Sequence, residues 1–141
     1  MSQANNHSVQ PYLIFNGRCE EAVEFYRKAI GAEVVMLLHF KDSPDQSVCP
    51  PGSGNKIMHV SLKIGSTLLL ASDGGHSPQT GFSGFSLSMT VKDTAEANRF
   101  FTALTDGGTV QMPLAKTFFS PSFGMVSDRF GVSWMIYVQQ S

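Results

Sequence analysis

Apolar positions recur along this chain in two periods, and the two alternate in a fixed order. Across residues 19–31, Ala22, Val23, Phe25, Tyr26, Ala29 and Ile30 fall at i, i+3, i+4 and i+7 spacing. That is one apolar stripe on a helix. Glu20 and Glu21 at its start and Arg27 and Lys28 near its end suit the helix dipole, and Gly31 is placed to terminate it. Residues 12–16 (YLIFN), 33–40 (EVVMLLHF), 57–64 (IMHVSLKI) and 67–72 (TLLLAS) read as strands, the last two joined at Gly65 and Ser66. Residues 41–56 hold three prolines and two glycines and predict a long loop. The order is βαβββ.

The order then starts again. Residues 84–91 (GFSLSMTV) predict a strand. Residues 93–108 predict a helix, with Asp93 or Thr94 as N-cap and Gly107 and Gly108 at its end. Strands follow at 109–114, where Pro113 suits an edge, at 117–127, interrupted by Pro121, and at 132–138. An offset of 75 carries Glu21, Ala22, Phe25, Tyr26 and Ala29 onto Glu96, Ala97, Phe100, Phe101 and Leu104. An offset of 66 carries Val60, Gly65 and Leu70 onto Val126, Gly131 and Ile136. The chain therefore reads as an internal repeat: a tail at 1–9, then one α+β domain over 10–141. Within it, module one spans 10–72, a linker 73–83 and module two 84–139.

Composition narrows the function classes. The chain has 141 residues, 42% hydrophobic and 15% charged, which fits a globular domain and excludes a disordered one. Its formal net charge of -1 and lack of a basic run argue against nucleic acid or an anionic membrane as partner. No apolar run approaches the roughly 18 residues of a membrane span. The first ten residues lack the pattern of a signal peptide, so a cytoplasmic location is expected. Cys19 and Cys49 read as free thiols, and neither has zinc-ligand spacing. Cys19 opens a helix, where a thiolate is favoured, although a small residue packed at a helix entry explains it as well.

Strand alternation assigns side chains to faces. One set is Tyr12, Ile14, Leu68, Leu70, Phe85, Leu87, Met89, Val91, Val132, Trp134, Ile136 and Val138. It is almost wholly apolar and is expected to pack on the helices. The opposite set contains Leu13, Phe15, Thr67, Leu69, Ala71, Ser86, Ser88, Thr90, Ser133, Met135 and Tyr137. It is rich in hydroxyls and is expected to face solvent. On 57–64, Met58, Val60, Leu62 and Ile64 take the covered face, leaving His59 and Ser61 on the open one. His59 is the best candidate for a general base or polar anchor. His7, His39 and His76 are expected to be solvated, and Trp134 to be core.

The opening PYLIFNGRCEEAVEFYRKAIGAE, the strand GFSLSMTV and the tail MPLAKTFFSPSFGMVSDRFGVSWMIYV resemble the PhnB-like branch of the glyoxalase/bleomycin resistance/dioxygenase (vicinal oxygen chelate) superfamily. The resemblance covers residues 10–139. It implies paired βαβββ modules forming an open, cup-shaped mixed sheet with helices outside, a small-molecule site inside the cup, and a homodimer. Metal-dependent members take His, Glu or Gln ligands at four equivalent points. Here those points are Pro11, Leu69, Ser86 and Met135. None suits a hard or borderline divalent ion, and a one-residue slip adds only Gln10. A relocated site would need His59 and Asp73. Some sequences of this branch carry a demethylubiquinone methyltransferase label. This chain lacks the Gly-rich strand-to-helix turn and alternating α/β layout expected of a methyl-donor site.

Three functions remain open. The first is a small-molecule-binding cup with no metal or other cofactor, lined by Leu13, Phe15, His59, Ser61, Thr67, Leu69, Ser86, Ser88, Ser133, Met135 and Tyr137, with the 41–56 loop as a lid. The second is a divalent-metal-dependent lyase, isomerase or dioxygenase. The third is a protein-interaction role in which the cup is a relic. The missing ligands favour the first over the second. The residues assign no reaction.

Overall fold

The computed structural model describes residues 7–74 and 81–139. It divides into two compact units, Met1–Gln79 and Thr80–Ser141. The first contains β1 (Tyr12–Ile14), α1 (Cys19–Ile30), β2 (Glu33–His39), β3 (Ile57–Ile64) and β4 (Thr67–Ser72). The second contains β5 (Leu87–Val91), α2 (Thr94–Thr105), β6 (Thr109–Ala115), β7 (Phe123–Ser127) and β8 (Ser133–Val138). The α+β class and the tandem βαβββ order are as the sequence predicts. Of the expected tail at 1–9 and linker at 73–83, residues 1–6 and 75–80, including His76, lie outside the described residues.

Each unit builds the same four-stranded mixed sheet, in the orders β1-β4-β3-β2 and β5-β8-β7-β6. The β1–β4 and β5–β8 pairs are parallel, and the others are antiparallel. The repeat extends to an irregularity. The β2–β3 ladder slips between Val34 and Met36, and the β6–β7 ladder slips between Val110 and Met112. The offset between starts is 75 for the helices and 66 for β3/β7 and β4/β8. It drops because 17 residues join β2 to β3 but only seven join β6 to β7. The longer connection is folded on itself, with two short 3-10 turns at Phe40–Asp42 and Gln46–Val48. The Gln46 side-chain amide donates to the carbonyls of Phe40 at 3.1 Å and Ser43 at 2.7 Å.

One helix covers one face of each sheet. In the first unit Ala22, Val23, Phe25, Tyr26 and Ile30 of α1 are buried, as are Leu13, Phe15, Val60, Leu62, Leu69 and Ala71 of the sheet side. The rings of Phe15 and Tyr26 lie 6.2 Å apart. Gly31 ends α1 in the left-handed conformation (φ 72°), where a side chain would be strained. In the second unit Val91, Val126, Trp134, Ile136 and Val138 are buried, with Ala97 and Leu104 of α2. Gly124 belongs to that face, since a Cβ there would stand 2.8 Å from the Phe101 ring. Each fully buried side chain of this size contributes about 1.5–3 kcal/mol.

In the second unit the faces of β5 and β8 are as the sequence predicts, with Trp134 in the core, but Phe85, expected under the helix, precedes β5 and is 43% exposed. In the first unit the sequence inverted β1 and β4. Leu13, Phe15 and Leu69, expected on the open face, are 3%, 5% and 2% exposed, and Thr67 shares the phase of Leu69 at the exposed hairpin end. Tyr12, Ile14, Leu68 and Leu70, expected under the helix, occupy the open face. Both faces of these strands are apolar, so alternation carried little polarity to choose between them. Gly65 and Ser66 alone join β3 to β4, whereas Asp128–Val132 join β7 to β8. The difference is odd, and a one-residue slip exchanges faces. The short turn pairs Ile64 with Thr67 and Leu62 with Leu69, which puts Leu69 beside Leu62 on the covered face.

One buried carboxylate braces each unit from within. Asp73 is 6% exposed and accepts from the backbone N–H of Cys19 at 2.8 Å and of Ile57 at 2.7 Å. It caps α1 from the end of β4, where the N-cap residue Arg18 offers no side-chain bond. Asp128 is 3% exposed and accepts from the N–H groups of Phe130 and Val132 and from Trp134 Nε1 at 2.9, 3.0 and 2.9 Å. Asp128→Ala removes the acceptor of three N–H groups, two of them buried, and should cost about 2–4 kcal/mol in urea unfolding. Loss of under about 0.5 kcal/mol would show the carboxylate to be incidental.

Candidate functional site

The open face of the second sheet is sorted into transverse rows by its register. Ser127 pairs with Ser133, and the Ser133 hydroxyl lies 2.8 Å from Ser86 Oγ and donates to Gln111 Oε1 at 3.0 Å. The next row is Met112, Met125, Met135 and Ser88. The row beyond holds Ala115, Phe123, Tyr137 and Thr90. Phe119 lies over its end, 6.2 Å from Tyr137 at 17° and 5.2 Å from Phe123 at 72°. The face thus grades from hydroxyls through thioethers to aromatic rings. None of these residues is Asp, Glu, Lys, Arg or His.

The first sheet's open face has a different centre. Tyr12, Leu70, Ser61 and Met36 form one row. His59 lies two residues from Ser61 on β3. Its Nδ1 is 3.2 Å from Tyr12 Oη and its Nε2 is 3.1 Å from Ser61 Oγ. The His59 and Tyr12 rings are 5.7 Å apart. A neutral imidazole has one N–H, so one hydroxyl donates to the ring and the other accepts from it. The imidazole thus joins the two hydroxyls through both of its ring nitrogens.

The sequence-predicted residues therefore fall into three groups. Ser86, Ser88, Ser133, Met135 and Tyr137 share the open face of the second sheet. His59 and Ser61 share that of the first. Leu13, Phe15, Thr67 and Leu69 belong to the helix-covered side and drop out. Sequence reasoning missed Tyr12, Gln111, Met112, Phe119, Phe123 and Met125. Gln111 turns toward Ser133 because the ladder bulges at that position, and Phe119 sits in a turn that had been read as strand. The tight turn at Gly65 and Ser66 was the signal that could have exposed Tyr12.

The implied metal fails on the chemistry of the side chains. Pro11 has no side-chain donor atom. Leu69 is hydrocarbon buried on the covered face. Ser86 is engaged with Ser133, and Met135 offers a soft thioether. The alternative pair is committed elsewhere: Asp73 to two backbone amides, His59 to Tyr12 and Ser61. Among the described residues, no three of His, Cys, Asp and Glu come together. Cys19 is not a thiolate either. Burial, then the neighbouring Asp73 charge, pushes its thiol up to about 12.

Two four-stranded mixed sheets, each covered by one helix, define a protein of the glyoxalase/bleomycin resistance fold. A fosfomycin resistance protein, FosX, from Listeria monocytogenes shares that fold at 7% identity with a TM-score of 0.65, covering 99% of this chain and 96% of FosX. The chain belongs to the family described as 3-demethylubiquinone-9 3-methyltransferase, whose model matches residues 7–137, and it is PhnB-like. It is 33% identical over 138 residues to Protein YjdN of Escherichia coli K12, covering 92% of this chain and 94% of YjdN. Among solved structures, protein PA1353 from Pseudomonas aeruginosa is 48% identical with a TM-score of 0.83, covering 95% of this chain and all of that one. A structure described as a PhnB protein from Bacillus cereus is 25% identical with a TM-score of 0.79, covering 94% and 99%.

The family description names methyl transfer, and the helix ends do not fit an adenosyl-type methyl donor. Such donors rest on a Gly-rich turn between a parallel strand and a helix N-terminus. Here the N-terminus of α1 holds the Asp73 carboxylate, and that of α2 holds Asp93, which accepts from Glu96 N–H at 2.8 Å. The connection from β1 to α1, Phe15–Arg18, holds one glycine, and that from β5 to α2, Lys92–Asp93, holds none. No described helix is long and apolar enough to cross a membrane.

The thiols give a test. At pH 8 a disulfide reagent such as DTNB should react promptly with Cys49, which is partly exposed, and with Cys19 only on unfolding. The Cys19 pKa is raised from 9.0 on folding. Its contribution to stability is therefore complete below pH 9 and is lost as the pH climbs toward 12. Urea unfolding should weaken over that window, and less so in Cys19→Ala. Equal labelling of both thiols in the folded protein would contradict this environment.

Proposed function

We propose that this protein binds a small organic molecule on the open face of its second sheet, without a divalent metal. The observation that carries this reading is the sorted face: hydroxyl, thioether and aromatic rows in one register, free of formal charge. An apolar wall with few placed polar groups is the usual make-up of a small-ligand site. Ser133, Ser86 and Ser88 supply hydrogen bonds, and Met135 and Tyr137 supply apolar contact. His59 and Ser61, with Tyr12, form the polar anchor of the first sheet's own open face. The unsuitable side chains at Pro11, Leu69, Ser86 and Met135 support binding without the superfamily metal.

A homodimer belongs to the same proposal. The edge strands β2 and β6 expose Val34, Val35 and Met36 in one unit and Val110 and Met112 in the other. A second copy would take this surface from water. A cytoplasmic location is supported by two free thiols, one of them in the core. Light scattering should give twice the 15.3 kDa chain mass, and a monomer at micromolar concentration would remove the dimer from the proposal.

Binding is tested with protein carrying methyl-13C methionine and a broad set of small neutral, acidic and basic organic compounds. Saturable shifts of the Met112, Met125 and Met135 methyl signals by some of them, in the presence of a chelator, are expected. No shift from any compound would overturn the binding reading. Shifts that appear only after adding zinc, manganese or magnesium would transfer the site to metal-dependent chemistry.

A further inference from the structure

We propose that the second sheet selects uncharged, elongated molecules carrying a planar aromatic ring at one end and a hydrogen-bonding group at the other. This deepens the binding reading above and rests on it. Phe118 and Phe119 define the aromatic end. Phe118 is 93% exposed and meets Phe119 edge-on at 5.2 Å and 87°. Phe119 in turn lies nearly parallel to Tyr137.

The turn that carries this pair is anchored independently of the two rings. Thr117 N–H donates to the Ser120 carbonyl at 2.9 Å, and Phe119 N–H donates to Thr117 Oγ1 at 3.2 Å. Ser120 is 1% exposed, and its hydroxyl lies 2.6 Å from the Val138 carbonyl at the end of β8. Two phenylalanines are thus held beside water by hydrogen bonds in which their rings take no part. An aromatic platform fixed in advance loses little freedom when a flat ligand stacks on it. The corresponding connection of the first unit, residues 40–56, has one aromatic residue, Phe40, and it is buried.

The other end is polar and neutral. Ser133 donates to Gln111 Oε1. The Gln111 amide keeps its N–H donors for a ligand carbonyl or hydroxyl, while the serine oxygens keep lone pairs for a ligand donor. Ser133 and Tyr137 are four residues apart on β8, about 13 Å at the strand rise. The methionines between them adapt to the shape of a connecting chain. A charged ligand would shed water here without meeting an opposite charge.

The test uses the full chain with methyl-13C methionine and three probes: 5-phenylpentanamide, 5-phenylpentanoate and hexanamide. The phenyl amide should shift the Met125 and Met135 methyls saturably. The carboxylate and the aliphatic amide should each bind at least tenfold more weakly. Phe119→Ala, and the milder Phe118→Ala at a fully exposed position, should each weaken the phenyl amide severalfold or more. Equal or tighter binding of the carboxylate or of hexanamide would overturn the selectivity while leaving the binding reading intact. Unchanged phenyl amide binding in both variants, with an altered oligomeric state, would assign the aromatic pair to an interface between copies instead. If none of the three probes moves the methyls but the broader set does, the selectivity proposal falls alone. If neither does, both fall.

Discussion

A four-stranded sheet has two faces, and each unit of this protein has one helix with which to cover them. One face must remain open, and its composition is free of the demand to fill a core. Asp73 governs the outcome in the first unit. By accepting from Cys19 and Ile57, it pins the start of α1 to the start of β3, and the helix then lies over Leu13, Val60, Leu62, Leu69 and Ala71. This buried carboxylate faces backbone amides rather than a cation. Asp128 does comparable work within the second unit, where it binds the β7–β8 turn to the Trp134 indole. The side chains available for chemistry are those left on the far side of these arrangements.

Those side chains differ between the two units although the architecture is the same. The first offers a titratable group at its centre, His59 between Tyr12 and Ser61. The second offers hydroxyls, thioethers and rings and no titratable side chain other than a phenol. The first face thus centres on an imidazole, and the second has none. Neither has the donors that would hold a divalent ion at the positions where the superfamily does so. The family's methyltransferase description likewise finds no Gly-rich turn, because the strand-to-helix connections are Phe15–Arg18 and Lys92–Asp93.

The repeat was legible because helix and strand periods survive in the sequence. The stripe of α1, the shared alternation of Ser133, Met135 and Tyr137, and the turn glycines were enough to place both helices and all eight strands, with β5 and β7 starting three and six residues later than the pattern predicts. The face of β1 and β4 was not legible from hydrophobicity, since Tyr12-Leu13-Ile14-Phe15 and Leu68-Leu69-Leu70 are apolar at every position. Only the two-residue turn carried that information. His59 and Ser61 were found because their strand alternates clearly. Gln111 and Phe119 were not, because a ladder slip and an anchored turn place them, and neither has a period.

The unequal hairpin turns have a wider meaning. Two residues in one copy and five in the other leave the strand order untouched, yet homologous positions on β4 and β8 look in opposite directions. Leu69 serves as core, while Met135, 66 residues on, stands on the face away from the helix. The turn, and not the apolar content of the strand, decides which of its faces meets the helix.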